Sequence, residues 1–440
     1  MKSTFVTIAS AAILSAAACS ARVSSTTTLT IATVNNGDMV RMQRLAEDFT
    51  TKNPGIKLEW VTLEENTLRQ RVTQDIATRG AQFDVMTIGN YEVPIWAKQK
   101  WLLALDQLPP DYDVADILPA IRLALSVEGK LYAAPFYGES AMVMYRTDLV
   151  SKAGITLGAS PTWADIEAAA KAMTDTARGI FGVCLRGKPG WGENMAFLTA
   201  MANSYGGRWF DMAWRPQFDT PQWRGALTTY LSLMREYGPS GAAANGFNEN
   251  LSLFQQGKCG IWIDATVAAS FLTDPKESTV SDRVGYAQFP NAQGVNNHGN
   301  WLWAWSLAIP ASTDVPEAAA RFVAWATSRQ YTELVASREG WRAAPPGTRA
   351  SLYARPEYKQ AAPFADMTLD AIQAASSTPL DGRPYSGGQF VAIPEFQGIG
   401  TAVGQIFSAA LVGQTTADQA LSQAQAATAR EMTRAGYASK

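Results

Sequence analysis

The sequence predicts an α/β protein of two lobes, each a mostly parallel sheet flanked by helices and joined to the other by hinge crossovers. Three observations carry that expectation. A strand-helix-strand-helix-strand run occupies residues 29–88, and a second series of strands and helices follows from residue 162. The 440 residues are also too many for one small core.

The first strand spans 29–34, and the loop Asn35-Asn36-Gly37-Asp38 follows it. Met39, Met42, Leu45 and Phe49 then repeat at helical spacing, with Asp38 placed to cap the helix start. Lys52-Asn53-Pro54-Gly55 ends that helix, and Ile56, Leu58 and Trp60 alternate as a half-buried strand. Leu68, Val72 and Ile76 mark the next helix, Gly80 closes it, and 83–88 reads as a buried strand. Such an order over about sixty residues requires crossover helices and parallel pairing.

In the second half Thr162 begins a helix carrying Trp163, Ile166, Ala169, Ala170 and Met173 on one face. Strands are expected at 181–185 and 259–263, and helices at 195–205 and 223–234. Thr416 caps a last helix, with Gln419 three residues on completing a capping box. No short-period repeat and no low-complexity linker divides the chain.

Composition narrows the function. Hydrophobic residues make up 47% and charged ones 17%, so a large interior is available and global disorder is not expected. A formal charge of −2, with no basic cluster, gives nucleic acid nothing to bind. The single histidine, His298, argues against a zinc site and against most triad hydrolases; neither metal nor cofactor is expected. Fourteen tryptophans are many for this length.

The first eighteen residues read as a secretory signal peptide. Lys2 supplies the charged start, residues 5–14 the apolar stretch, and Ala16, Ala17 and Ala18 the small residues before Cys19. Cys19 stands where a lipid anchor could attach, but Ala16 occupies a position where the lipid-attachment pattern usually has Leu, so lipidation and simple cleavage both stay open. Contact with the membrane is expected only through such an anchor, since no later stretch is long and apolar enough to span a bilayer. Export puts Cys184 and Cys259 in an oxidising compartment as a disulfide candidate, two unlinked buried thiols being the alternative.

Ligands of open α/β sheets bind beyond the carboxyl ends of strands. That rule selects Asn36 after the first strand, and Asn90 and Tyr91 after the third. Glu139, in Tyr137-Gly138-Glu139-Ser140, and Asp264, ending Ile261-Trp262-Ile263, set carboxylates in apolar surroundings. Each is either paired internally or aimed at a ligand. The loop 186–194 gathers Arg186, Trp191 and Asn194 among glycines and lacks the Lys-Ser/Thr ending of a phosphate loop. In Trp301-Leu302-Trp303-Ala304-Trp305, strand alternation places the three indoles on one side. Trp301 and Trp303 are candidates to stack on a sugar or polyol, and Trp305 is assigned to the core.

With these residues in view the chain resembles the solute-binding subunits of bacterial ABC importers for carbohydrates, most closely the sorbitol/mannitol-binding branch. The resemblance runs over essentially the whole mature chain. It is carried by residues 84–91, 137–140, 186–194, 262–266 and 301–310. It implies the two-lobed periplasmic binding protein fold, with crossings near 141–145, 306–310 and 341–346. The first lobe would comprise 28–142 with 309–343, and the second 143–308 with 344–440. It further implies a monomer in the periplasm that holds a hexitol such as mannitol or sorbitol between the lobes and delivers it to a membrane permease. Contacts would fall on Asn36, Asn90, Tyr91 and Glu139 from one side and Arg186, Trp191, Asn194, Asp264, Trp301 and Trp303 from the other. Neighbouring branches of the family take mono- or disaccharides. Two rival readings are a secreted glycoside hydrolase using Glu139 and Asp264 as its carboxylates, and a chemoreceptor or adhesion partner that binds another protein.

Overall fold

Alternating apolar residues form strand β1 (Thr27–Val34), which pairs in parallel with β2 (Ile56–Leu63) and with the wholly buried β3 (Val85–Ile88). The computed structural model describes residues 26–437 apart from 297, 298, 300 and 376–381. The expected signal peptide (1–18), Cys19 and His298 lie outside the described residues.

A small ribbon of β4 (Ser126–Val127) and β5 (Lys130–Leu131) precedes β6 (Ala133–Glu139). The chain then passes through Ser140 alone into β7 (Ala141–Arg146), followed by β8 (Phe181–Cys184), β9 (Cys259–Ala265), β10 (Val284–Gln288) and β11 (Trp303–Ala308). Two main sheets result, ordered β2-β1-β3-β11-β6 and β10-β7-β9-β8. Each is mixed by a single reversed strand. β11 runs antiparallel to both neighbours in the first sheet, and β7 does so in the second. Both are strands that arrive from the other lobe.

That placement corrects one boundary. The sequence reading put 143–308 in the second lobe with a crossing at 306–310, but β11 is hydrogen-bonded between β3 and β6 of the first sheet. The crossing comes before Trp303. A six-residue strand reads the same wherever it pairs, so its sheet cannot be inferred from its own residues.

Local chemistry explains the first turn of the chain. The expected helix over 39–49 divides into α1 (Gly37–Leu45) and α2 (Glu47–Lys52). Its N-cap is Asn36 rather than Asp38: the Asn36 side chain accepts from the Met39 backbone N–H, while Asp38 sits in the first turn and pairs with Arg41 at 2.5 Å. Helix α3 (Glu65–Thr78) buries Leu68, Val72 and Ile76, and α4 (Glu92–Lys98) follows β3. The capping boxes at Thr162 with Asp165 and at Thr416 with Gln419 both form.

Cys184 and Cys259 are bonded, Cα atoms 6.0 Å apart, tying β8 to β9 in the core of the second sheet. Replacing both by Ala removes a covalent link between residues 75 apart in sequence. Urea unfolding should then show a loss of about 2–4 kcal/mol. Unchanged stability would mean that the pair is not bonded in the folded protein.

Candidate functional site

Strand ends from both sheets converge on a cavity of about 70 Å³ between the lobes. At roughly 15 Å³ per water this is space for about five water molecules. Val34 and Asn36 from the end of β1, Tyr137 and Glu139 from β6, and Trp303 and Trp305 from β11 line the first-lobe side. Arg186, Lys188, Trp191 and Glu193 of the loop after β8 line the other. Asn36, Glu139, Arg186, Trp191, Trp301 and Trp303, all singled out from sequence, therefore meet in one place.

The other four do not line it. Asn90 turns its side chain to the backbone of the crossing segment, donating to Leu302 O at 3.2 Å and accepting from Ala304 N at 3.0 Å. Tyr91 donates to Ile393 O and packs its ring on Trp191, centroids 4.7 Å apart. Asn194 accepts from Gly190 N and donates to Gly404 O, fixing the shape of the loop. Asp264 has no solvent exposure and stands behind Arg186. The strand-end rule finds the right loops, but it cannot say which side chains face the cavity and which hold its wall.

Asp264 and Arg186 make the principal ion pair of the second lobe. Arg186 Nε lies 2.9 Å from Oδ2 and the neighbouring terminal nitrogen 2.7 Å from Oδ1. Trp262 Nε1 and the Ala265 N–H complete the carboxylate's hydrogen bonds. The remaining terminal nitrogen of Arg186 donates to Gly192 O and approaches Glu193 at 3.5 Å. Such a pair is tolerated in the interior because both partners are fully engaged.

Arg69 and Glu65 also line the cavity, and the sequence reading missed them. Arg69 binds Glu65 Oε1 at 2.8 Å and Glu92 at 3.0 Å, and its guanidinium lies over the rings of Trp191, Trp303 and Trp305 at 4.1, 4.7 and 4.8 Å. A signal was present. Glu65, Arg69, Val72 and Ile76 follow helical spacing on the face that Leu68 also buries, so two charges stand in an apolar stripe. Trp305, assigned to the core from sequence, reaches the cavity too, because β11 carries it to the cleft alongside Trp303. Gly89 and Gly192 make room here. A Cβ on Gly89 would enter the Trp303 ring, and one on Gly192 would strike Glu65.

Several groups facing this space lack partners. The indole N–H groups of Trp191, Trp301 and Trp303 are buried without a hydrogen bond, and no hydrogen bond reaches the Glu139 carboxyl among the described residues. Burial holds Glu139 well above the ordinary carboxylate range; Arg186 opposes this in part, while Asp264 and Glu65 add to it. Burial, reinforced by Glu65, also pushes Glu193 up to about 8 against the pull of Arg186 and Lys188. No group of three or more metal-ligating side chains occurs among the described residues, and no described helix is long and apolar enough to cross a membrane.

Known proteins share the family and the fold of this chain. The family model described as bacterial extracellular solute-binding protein matches residues 35–333. A mannitol-binding protein of Pseudomonas aeruginosa is 52% identical over 412 residues, covering 93% of this chain and 94% of the relative. A solved ABC transporter solute-binding protein from Agrobacterium vitis, with D-mannitol bound, superposes with a TM-score of 0.91 at 62% identity, over 93% of this chain and 99% of that one. A second, from Agrobacterium radiobacter in complex with ribitol, shares the fold at 24% identity, with a TM-score of 0.81 over 92% and 98% of the two chains.

The raised carboxyls give a pH dependence with a definite sign. Folded Glu193 titrates near 8 against an ordinary 4.5, so between those values the folded state holds a proton that the unfolded state has lost. Stability of the ligand-free protein should be greatest at the acid end of this window and fall as pH rises, by at most about 1.4 kcal/mol per unit for one such group. Urea melts at pH 5, 6.5 and 8 would measure the slope. Glu193→Gln should flatten it, and an equal slope in the variant would contradict the assignment.

Proposed function

From the bacterial extracellular solute-binding protein family, to which this chain belongs, we propose a specific role: capture of a hexitol, D-mannitol foremost, for an ABC importer. The observation that carries it is the set of unpartnered groups around one small cavity. Three indole donors await hydrogen-bond partners, and the Glu139 carboxyl has none among the described residues, around a space of the size of a single small solute. A linear polyol offers a hydroxyl, both donor and acceptor, at every carbon, and its C–H edges can lie on indole faces. The choice of mannitol within that class rests on the two relatives that share more than half of their residues with this chain.

Capture works by differential binding. Glu139, Trp303 and Asn36 belong to one side of the cleft, and Arg186, Trp191 and Glu193 to the other. A ligand touching both sides stabilises the closed arrangement over the open one. Closure is assisted at the rim. Lys188 of the second lobe lies 2.5 Å from Glu64 of the first, and Asn66 donates to Pro189 O at 3.3 Å. The closed form is the surface offered to a permease in the periplasm, and the ligand leaves unchanged. A hydrolase using Glu139 and Asp264 is disfavoured because Asp264 is withdrawn behind Arg186, out of reach of a scissile bond.

A thermal-shift panel of hexitols, pentitols, monosaccharides and disaccharides tests the assignment. D-mannitol at a hundred times its Kd should add about 2.7 kcal/mol to stability by mass action. Glu139→Ala should abolish that shift while the free protein stays folded. Stabilisation by disaccharides alone would overturn the ligand class. Lys188→Met removes the partly exposed rim pair together with the weaker 3.8 Å contact to Glu193, and should weaken mannitol about two- to fivefold. Isothermal titration would show this, and the reversed pair Glu64→Lys with Lys188→Glu should recover part of the loss.

A further inference from the structure

The charges around the cavity do not balance. Glu64, Glu65, Glu139, Glu193 and Glu249 line it, against Arg69, Arg186 and Lys188. Those cations are already committed. Arg69 is held by Glu65 and Glu92, Arg186 by Asp264 and Glu193, and Lys188 by Glu64. Glu139 alone is buried at 4% exposure with neither a hydrogen bond nor a cation within ion-pair distance among the described residues. It closes β6 directly opposite Trp303 of β11, so its carboxyl stands beside the indole wall. A buried carboxylate with no countercharge is costly, and aromatic faces next to it favour a cation over a neutral group.

Resting on the hexitol reading above, we propose that the same cleft also takes protonated 1-amino-1-deoxyhexitols, with the ammonium group set against Glu139 and the hydroxyl chain along the tryptophans. The ammonium supplies the countercharge that the protein withholds from Glu139, and its three N–H donors suit a carboxylate with free lone pairs. Burial raises the Glu139 carboxyl above its ordinary range, and an ammonium beside it acts in the opposite direction, so pairing should favour release of a proton from the carboxyl. No bond in the ligand changes.

The comparison that isolates the charge is 1-amino-1-deoxy-D-mannitol against 1-deoxy-D-mannitol, with D-mannitol as reference, titrated calorimetrically into the full protein at pH 7. The amine should bind at least tenfold more tightly than the deoxy compound. In buffers of different ionisation enthalpy it should release more protons than D-mannitol does. In Glu139→Gln the ratio of amine to deoxy affinity should fall at least fivefold, whatever happens to either affinity alone. If D-mannitol binds but the amine is no tighter than the deoxy compound, the proposal is wrong and the hexitol reading stands. If D-mannitol itself fails to bind, the hexitol reading is lost and the proposal goes with it.

Discussion

A guanidinium removed from water needs both countercharge and surfaces to pack on, and Arg69 takes these from four separate parts of the chain. Glu65 is one turn back on its own helix, and Glu92 comes from the start of α4. Trp303 and Trp305 come from β11, and Trp191 from the second-lobe loop. A cation over an indole face gains about 2 kcal/mol when desolvated, and the gain requires the ring to stay within a few ångströms. The position of Arg69 therefore couples the orientation of α3 to the indole wall. Glu92 also accepts the Gly89 N–H at 2.9 Å, so the turn after β3 is bound into the same arrangement. What faces the ligand is thus fixed by a residue whose charge is already satisfied elsewhere.

The same cleft depends on how the lobes are joined. Only Ser140 separates the last residue of β6 from the first of β7, and its hydroxyl donates to Trp301 O at 2.9 Å on the returning segment. Gly138 N donates to Pro346 O, and the Gly138 and Gly347 backbones approach too closely for a side chain on either. The link at Ser140, the segment returning through Trp301 and the turn at 346–347 thereby lie side by side. Glu139 and Trp301 are part of that bundle, so a ligand held by them touches the hinge itself. The reversed strands β7 and β11 anchor it on either side, each hydrogen-bonded on both edges in its sheet. Short, well-bonded crossings leave rigid lobes with little freedom beyond rotation about the hinge.

Much of this was legible in the sequence, for reasons that also explain what was not. Period and punctuation located β1, β2, β3, β8 and β9 and the helices beside them, because burial on one face imposes spacing that any chain must show. Strand ends, carboxylates in apolar surroundings and the alternating indoles together brought six of the ten candidate residues into one cavity; reasoning of this kind has a limit. It could not separate Glu139, which faces that cavity, from Asp264, which is sealed behind Arg186: both are carboxylates at the end of an apolar strand. Nor could it assign Asn90, whose amide serves the backbone of a segment more than two hundred residues away. Arg69 was passed over because a long cation on a helix is usually solvated. Its burial became visible only with the rings that cover it. The lobe of β11 escaped for a related reason, since strand pairing is decided by the partners and not by the strand.

The same charges favour binding over reaction at such a site. An acid-base pair must exchange protons with substrate, which requires two groups in reach of the reacting bond and free to change state. Here Asp264 is locked by two bonds from one guanidinium, and Glu193 is crowded by Arg186, Lys188 and Glu65. Glu139 is the exception, and a single carboxyl without a partner among the described residues has no second carboxyl free to act with it on a reacting bond. The energy of those bonds is available solely when the lobes are closed, because their donors and acceptors come from both. A cleft built in this way converts recognition into a change of shape, and the carboxyl left without a partner decides which ligands can drive it.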